Sequence, residues 1–143
     1  HTLSLHDALP IWFATYDADY PAETDVDLVV LRGTTTVGSS GGATAEEAVN
    51  LTGDDLGGTY TVRATYFAGT PDTLDIKVNS FAVGTTDAGN LTVTPQSQTV
   101  TAGQTATFTL TWSGLQDGRR HLGLVNWSNG TSPIGRTIVS ILP

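Results

Sequence analysis

The feature that most constrains this chain is a period-two alternation of apolar and polar residues, broken by turn residues at intervals of about 8–12 positions. In residues 59–67 the side chains of Tyr60, Val62, Ala64 and Tyr66 alternate with Thr and Arg. A strand with one face on a core and one in water shows this pattern. Thr and Val suit pleated surfaces, and the 16 glycines supply turns. The sequence therefore predicts an all-β chain.

The alternation predicts eleven strands. They are residues 12–16, 25–31, 35–39, 47–51, 59–67, 74–83, 91–94, 99–101, 105–113, 122–128 and 136–142. Residues 44–47 match a helix capping box, but the apolar run that follows is too short, so a turn into a strand is predicted there. Residues 84–90 lack large apolar side chains and are typical of a linker. We therefore expect two small antiparallel modules, residues 12–83 and 91–143.

The first eleven residues look foreign to the fold. Residues 2–11 resemble one reading frame of a common sequencing-library adapter, and they have neither the basic nor the long apolar region of a signal peptide. We expect the native part to begin at about Trp12, and a chain without any methionine to be a piece of a longer protein. His1 and His6 are then no longer functional candidates, which leaves His121.

Charge and composition narrow the classes of function. The formal net charge is −8, which disfavours nucleic acids and anionic membranes as partners. No apolar run approaches the roughly 20 residues of a spanning helix, so no membrane span is expected. The chain has no cysteine, which excludes thiolate chemistry and favours bacterial secretion or the cytosol over small disulfide-bonded eukaryotic modules.

Two sections carry a resemblance to known domains. The DVDLVV, SSGG and GTYTVR motifs of residues 25–30, 39–42 and 58–63 resemble the bacterial pre-peptidase C-terminal domain. Residues 91–141, which include HLGLVNWSNG and the following GRT-V-S pattern, resemble the fibronectin type III-like module that closes many secreted subtilisin-like proteases. Together these sections cover nearly all of the native part.

The resemblance implies a fold, a location and a role. It implies a jelly-roll-like β-sandwich followed by a fibronectin type III/Ig-like β-sandwich, in an extracellular bacterial protein. The chain would be the non-catalytic C-terminal accessory region of a serine endopeptidase whose catalytic domain lies upstream. Its implied partners are that catalytic domain and protein substrates, and its implied role is stability, secretion or substrate contact. Some relatives are associated with calcium.

One short motif suggests catalysis and has to be weighed. Gly130-Thr131-Ser132 resembles the active-serine sequence of subtilisin-like proteases, but Pro133 follows where that family has a small residue or Met. Asn129-Gly130 is also a hairpin turn signal. A catalytic triad needs a histidine base and an orienting aspartate, and only His121 is available as the base. We therefore expect no catalytic residue and no enzymatic activity in this chain.

An acidic segment is the candidate metal site. Its five carboxylates, which calcium would bind through oxygen, belong to Asp17, Asp19, Glu23, Asp25 and Asp27. Residues 25 and 27 share one face of a strand, about 7 Å apart. Their repulsion in water is only about 0.6 kcal/mol, which is too small to demand a cation. A calcium site and a solvated acidic rim both remain open.

The aromatic residues offer a second class of function. Trp12, Trp112 and Trp127 could form a stacking platform for a sugar or peptide together with Tyr side chains, and Trp127 is the least constrained by pattern. The alternation instead assigns Tyr60, Tyr66 and Trp112 to the core. A cell-surface adhesion or carbohydrate-binding module is thus the alternative to the protease accessory region, and exposed coplanar rings would favour it.

Overall fold

The computed structural model describes residues 10–53, 56–84 and 86–143. The chain divides into two compact units, with the boundary between Val83 and Gly84, and we call them unit 1 and unit 2. The described residues form ten β-strands and one short 3₁₀ helix, with no α-helix among them. Within these ranges no helix is long and apolar enough to cross a membrane. The predicted all-β fold class is confirmed.

Unit 1 consists of two three-stranded antiparallel sheets. Its strands are β1 (Ile11–Ala14), β2 (Asp25–Arg32), β3 (Thr35–Ser40), β4 (Ala48–Leu51), β5 (Tyr60–Ala68) and β6 (Asn79–Ala82). Sheet I has the order β4-β1-β6, and sheet II has the order β3-β2-β5. The 3₁₀ helix, Asp17–Asp19, lies between β1 and β2. The central strands are thus β1 in sheet I and β2 in sheet II, and each is paired on both sides.

The core of unit 1 lies between its two sheets. Every second residue of β2 is fully buried, and Val26, Leu28 and Val30 each have 0% exposure. Leu28 and Val30 pack in one cluster with three side chains of sheet I, those of Phe13, Val49 and Leu51. Complete burial of such side chains stabilises the fold by about 1.5–3 kcal/mol each. The apolar residues that alternate along the strands of both sheets therefore form the interior of a two-layer sandwich.

Unit 2 contains two two-stranded antiparallel sheets. Its strands are β7 (Leu91–Thr94), β8 (Thr109–Trp112), β9 (His121–Ser128) and β10 (Pro133–Ile141). Sheet III pairs β7 with β8, and sheet IV pairs β9 with β10. The predicted strand at residues 91–94 is confirmed, and β9 begins one residue before its predicted start.

One face of sheet IV is the inner face of unit 2. A Cβ at Gly123 would lie 2.5 Å from a methyl carbon of Leu91, so β7 packs directly on β9 at that position. Phe108 packs on Trp127 with ring centroids 4.9 Å apart. Among the described residues of unit 2, however, Val125 and Ile141 are the only buried hydrophobic side chains. Unit 2 therefore has a much smaller core than unit 1.

Three predicted strands are missing or lose more than two of their residues. The strand predicted at residues 105–113 is limited to β8, and the segment 99–101 is not a strand; there the Gln104 N–H donates to the Thr101 carbonyl in a turn. The strand predicted at 74–83 is reduced to β6. Its first half is interrupted because the Tyr20 hydroxyl donates to the Lys77 carbonyl and accepts from the Lys77 N–H, each at 3.0 Å.

The adapter-like segment is only partly within the described residues. Residues 1–9, with His1 and His6, lie outside them. Pro10 is buried, and its carbonyl accepts from the Val83 N–H at 3.2 Å. Ile11 opens β1 opposite Leu51 and Ala82. In this structure Ile11 thus begins the first strand, and Pro10 precedes it with one backbone hydrogen bond to Val83.

Candidate functional site

The five carboxylates of the predicted calcium site lie on three different local structures. Asp17 and Asp19 are on the 3₁₀ helix. Glu23 is in the turn before β2, with a positive φ of 64° that non-glycine residues rarely adopt. Asp25 and Asp27 lie on β2, on the face opposite to the buried Val26, Leu28 and Val30. They therefore face away from the core of unit 1.

Two of these carboxylates make structural contacts. The Asp17 carboxylate accepts a hydrogen bond from the Ala45 N–H at 2.8 Å, and the Asp17 N–H donates to the Glu46 carboxylate at 3.0 Å. Asp19 lies 3.9 Å from the Lys77 ammonium, and its side chain is 15% exposed. These contacts fix the 3₁₀ helix to the segment before β4 and to the segment before β6.

A carboxylate that the sequence interpretation missed is the most buried one. Glu47 is only 4% exposed, and its carboxylate accepts hydrogen bonds from the Ser40 hydroxyl and from the Gly42 N–H, the latter at 2.6 Å. A buried carboxylate requires such donors because its desolvation is otherwise costly. In the sequence Glu47 matches the last position of a capping-box pattern, which does not indicate a buried carboxylate. The signal that could have identified it is the serine and glycine turn that precedes it.

The SSGG motif has a physical reason in this geometry. A Cβ at Gly41 would lie 2.7 Å from Oδ1 of Asp27, and a Cβ at Gly42 would lie 2.8 Å from Oε1 of Glu47. A side chain at either position would therefore displace the carboxylate that the backbone approaches. The turn after β3 is therefore built around acidic side chains from β2 and from the residue before β4.

Asp25 is the least satisfied member of this group. Its Oδ1 atom is buried and accepts no hydrogen bond, although the residue as a whole is only half-buried. Desolvation raises the pKa of the Asp25 carboxyl above its ordinary value, and the negative charges of Asp27 and Glu47 raise it further. The Asp25–Asp27–Glu47 group therefore favours the protonated form of Asp25 more than an isolated aspartate would.

The geometry does not gather these groups into a metal centre. Over residues 10–53, 56–84 and 86–143, no three Asp, Glu or His side chains are placed so that they could hold one metal ion. Calcium binding by the acidic segment stays a prediction. The measurement is the melting temperature in Ca²⁺ and in EGTA, with titration calorimetry. An unchanged melting temperature and no heat of binding would remove calcium from consideration.

The serine motif of unit 2 lies in a hairpin connection. The Asn129 N–H donates to the Ser132 carbonyl at 3.1 Å, in the turn between β9 and β10. His121 is at the other end of β9, paired with Ile141. The eight residues of β9 separate the two ends by about 23 Å, so His121 cannot accept a proton from Ser132.

The aromatic residues make separate contacts within each unit. Trp127 is half-buried; its indole N–H donates to the Thr137 hydroxyl at 2.8 Å, and its ring is tilted 58° to that of Phe108. Tyr60 is half-buried and lies 6.1 Å from Phe13, between ring centroids. The prediction that Trp112 belongs to the core is wrong, because it is 50% exposed at the end of β8.

Comparisons with models of known protein families, with curated proteins and with solved structures find no match to this chain.

Proposed function

We propose that this chain is the non-catalytic C-terminal accessory region of a secreted bacterial subtilisin-like serine endopeptidase. The proposal begins from the resemblance of two successive sequence sections to a pre-peptidase C-terminal domain and a fibronectin type III-like module. Its role would be to stabilise the protease, assist its export or hold it near protein substrates. The catalytic domain would lie upstream of Trp12.

The observation that carries the proposal is the match between those sections and the two units. The section with the first resemblance lies in unit 1, and the section with the second lies in unit 2. The DVDLVV motif coincides with the first six residues of β2, and GTYTVR covers the start of β5. Both units are all-β, as an accessory region of this type requires.

The motifs of unit 1 also have structural rather than chemical tasks. Ser40 and Gly42 of the SSGG turn donate to the buried Glu47 carboxylate, and Gly41 leaves room for Asp27. The motif therefore has a structural role that requires no reaction. A turn that stabilises unit 1 through these hydrogen bonds fits a stabilising role.

The direct test is the coding sequence of the natural gene upstream of Trp12. We expect an uninterrupted reading frame that contains a subtilisin-like catalytic domain. A complete upstream frame without such a domain would overturn the proposal. With the parent enzyme in hand, Glu47→Ala should shorten its half-life at elevated temperature, whereas Asp75→Ala at an exposed position should leave the half-life unchanged.

The alternative, an adhesion or carbohydrate-binding module, lacks a supporting arrangement of aromatic rings. Trp127 uses its ring on Phe108 and its N–H on Thr137. Phe67 and Trp112 are exposed but belong to different units. The two ring pairs in contact among the described residues, Phe13–Tyr60 in unit 1 and Phe108–Trp127 in unit 2, are tilted rather than coplanar.

A further inference from the structure

The turn between β9 and β10 contains the chain's only Asn-Gly pair, Asn129-Gly130. The pair belongs to the connection formed by residues 129–132, in which every residue is exposed to solvent. A backbone hydrogen bond spans this connection, from the Asn129 N–H to the Ser132 carbonyl at 3.1 Å. Water therefore reaches the Asn129 side chain and the peptide group that follows it.

An asparagine side chain can react with the backbone nitrogen of the next residue, and asparagine is for this reason a thermolabile residue. The nitrogen loses its proton and attacks Cγ, so that a succinimide ring forms. The bond from Cγ to the side-chain nitrogen breaks, and that nitrogen takes up a proton and leaves as ammonia. Water then opens the ring at either of its carbonyl carbons, which gives aspartate or isoaspartate. The net reaction consumes one water molecule and releases one ammonium ion, and it needs no oxidant or reductant.

Glycine at position 130 favours this ring closure. Gly130 has a φ of 99°, a backbone conformation that other residues rarely adopt. A Cβ at this position would meet no neighbouring described residue within 4 Å, so the space around the peptide group is open. Glycine also has no side chain that could shield its nitrogen or restrict the rotation that brings it to Cγ of Asn129. The local sequence and the exposed turn thus favour the same reaction.

The other asparagines of the chain lack one or both of these features. Asn50, Asn79 and Asn126 lie on β4, β6 and β9, where pairing with a neighbouring strand holds the backbone extended. Asn90 lies directly before β7 and is followed by a leucine, whose side chain shields the attacking nitrogen. Deamidation should therefore concentrate at Asn129.

We propose that Asn129 is a site of spontaneous deamidation, at which a succinimide formed with the Gly130 nitrogen converts the amide into the carboxylate of aspartate or isoaspartate. Residues 84–143 hold two acidic and three basic residues, a formal charge of +1, and the reaction reduces this charge to zero. Isoaspartate also adds one carbon atom to the backbone between β9 and β10. The modification thus changes the charge of unit 2 and the length of a connection in sheet IV, whatever the function of the parent protein.

Incubation of the full chain at mildly alkaline pH, followed by peptide mapping with mass spectrometry, tests the proposal. Chymotrypsin cleaves at Trp127 and so separates Asn126 from Asn129. We expect the Asn129 peptide to gain the mass difference between an amide and a carboxyl group, at a rate proportional to the hydroxide concentration. Protein isoaspartyl methyltransferase should methylate the isoaspartate in that peptide.

Two variants separate the contributions of the glycine and of the turn. Gly130→Ala should slow deamidation at least about tenfold, which equals about 1.4 kcal/mol in activation free energy. Ser80→Gly is the matched control, because it places a glycine after Asn79 inside the paired strand β6, where the Asn79 side chain donates to the Ala14 carbonyl at 3.4 Å. In this variant Asn79 should react at least about tenfold more slowly than Asn129 in the folded chain, and at a similar rate in denaturant.

Three results would overturn the proposal. The first is an Asn129 peptide that keeps its mass, or that deamidates no faster than the peptides of Asn90 and Asn126. The second is an unchanged rate in Gly130→Ala, which would exclude ring closure on the Gly130 nitrogen. The third is an equal rate at Asn79 and Asn129 in folded Ser80→Gly, which would show that the exposed turn does not favour the reaction.

Discussion

The two units use similar strands in different ways. Residues 10–83 of unit 1 carry a formal charge of −8, from eleven acidic and three basic residues, and still form a sandwich in which Val26, Leu28 and Val30 are completely buried. Unit 2 carries +1, and only Val125 and Ile141 are buried among its described hydrophobic residues. Two three-stranded sheets can enclose a core, whereas two-stranded sheets are marginal by themselves. The number of strands that share an interior, rather than the alternation of each strand, determines how much apolar surface is buried.

The largest effect should come from the core of unit 1. Leu28→Ala removes a fully buried side chain that packs between sheets I and II, and we expect a loss of about 3–5 kcal/mol in the free energy of unfolding of unit 1. Near-UV circular dichroism during thermal unfolding measures it. The transition of unit 2 should not move. An equal decrease in the melting temperature of both units would show that they do not unfold separately.

The next effect should come from the buried carboxylate of unit 1. Glu47→Ala leaves the Ser40 hydroxyl and the Gly42 N–H without their acceptor, and we expect a loss of about 2–3 kcal/mol. Asp75→Ala, at an exposed position, is the control and should change stability by less than about 0.5 kcal/mol. Chemical denaturation followed by fluorescence measures both. A Glu47 variant as stable as the control would contradict the structural role of the turn.

A smaller effect is expected in unit 2. Trp127→Phe keeps an aromatic ring beside Phe108 but removes the N–H that donates to Thr137. We expect a loss of about 1 kcal/mol, confined to the transition of unit 2. Thr137→Val removes the acceptor instead, and the double variant should lose little more than either single variant. Fully additive losses would show that the two groups do not interact.

The smallest effect concerns pH in unit 1. The pKa of Asp25 is raised in the folded state, so the folded state binds this proton more tightly than the unfolded state. The contribution of Asp25 to stability is therefore complete below its ordinary pKa and is lost as pH rises through its folded pKa. Asp25→Asn should remove this loss and make unit 1 slightly more stable at neutral pH. If the free energy of unfolding depends on pH in the same way in the wild type and in the variant, the raised pKa of Asp25 would be contradicted.

Much of the fold could be predicted from local pattern. The strands β2, β3, β5 and β7 lie within one residue of their predicted bounds, because each has its own alternation and flanking turn residues. The apolar and polar residues of segment 74–78 alternate equally well, but the segment does not pair with another strand. The backbone N–H and carbonyl of Lys77 are instead hydrogen-bonded to the Tyr20 hydroxyl. That contact joins residues 57 positions apart, which no local pattern contains.

The candidate site was predictable only in part. The acidic segment and the SSGG turn are recognisable as sequence motifs. The hydrogen bond from the turn to Glu47, however, depends on the pairing of β4 with β1. Trp112 has the alternation of a core residue and is nevertheless 50% exposed at the end of β8. The burial of a residue at a strand end depends on which other segments pack against it, and the alternation within the strand does not predict those segments.

Differential scanning calorimetry of the full chain most directly tests the difference between the units. We expect two transitions, with unit 2 unfolding first, since it has the smaller core. Val125→Ala should lower only the first transition and Val30→Ala only the second, although both remove the same two methyl groups from a buried valine. A single cooperative transition that both variants lower equally would contradict a chain built of two separately stabilised units.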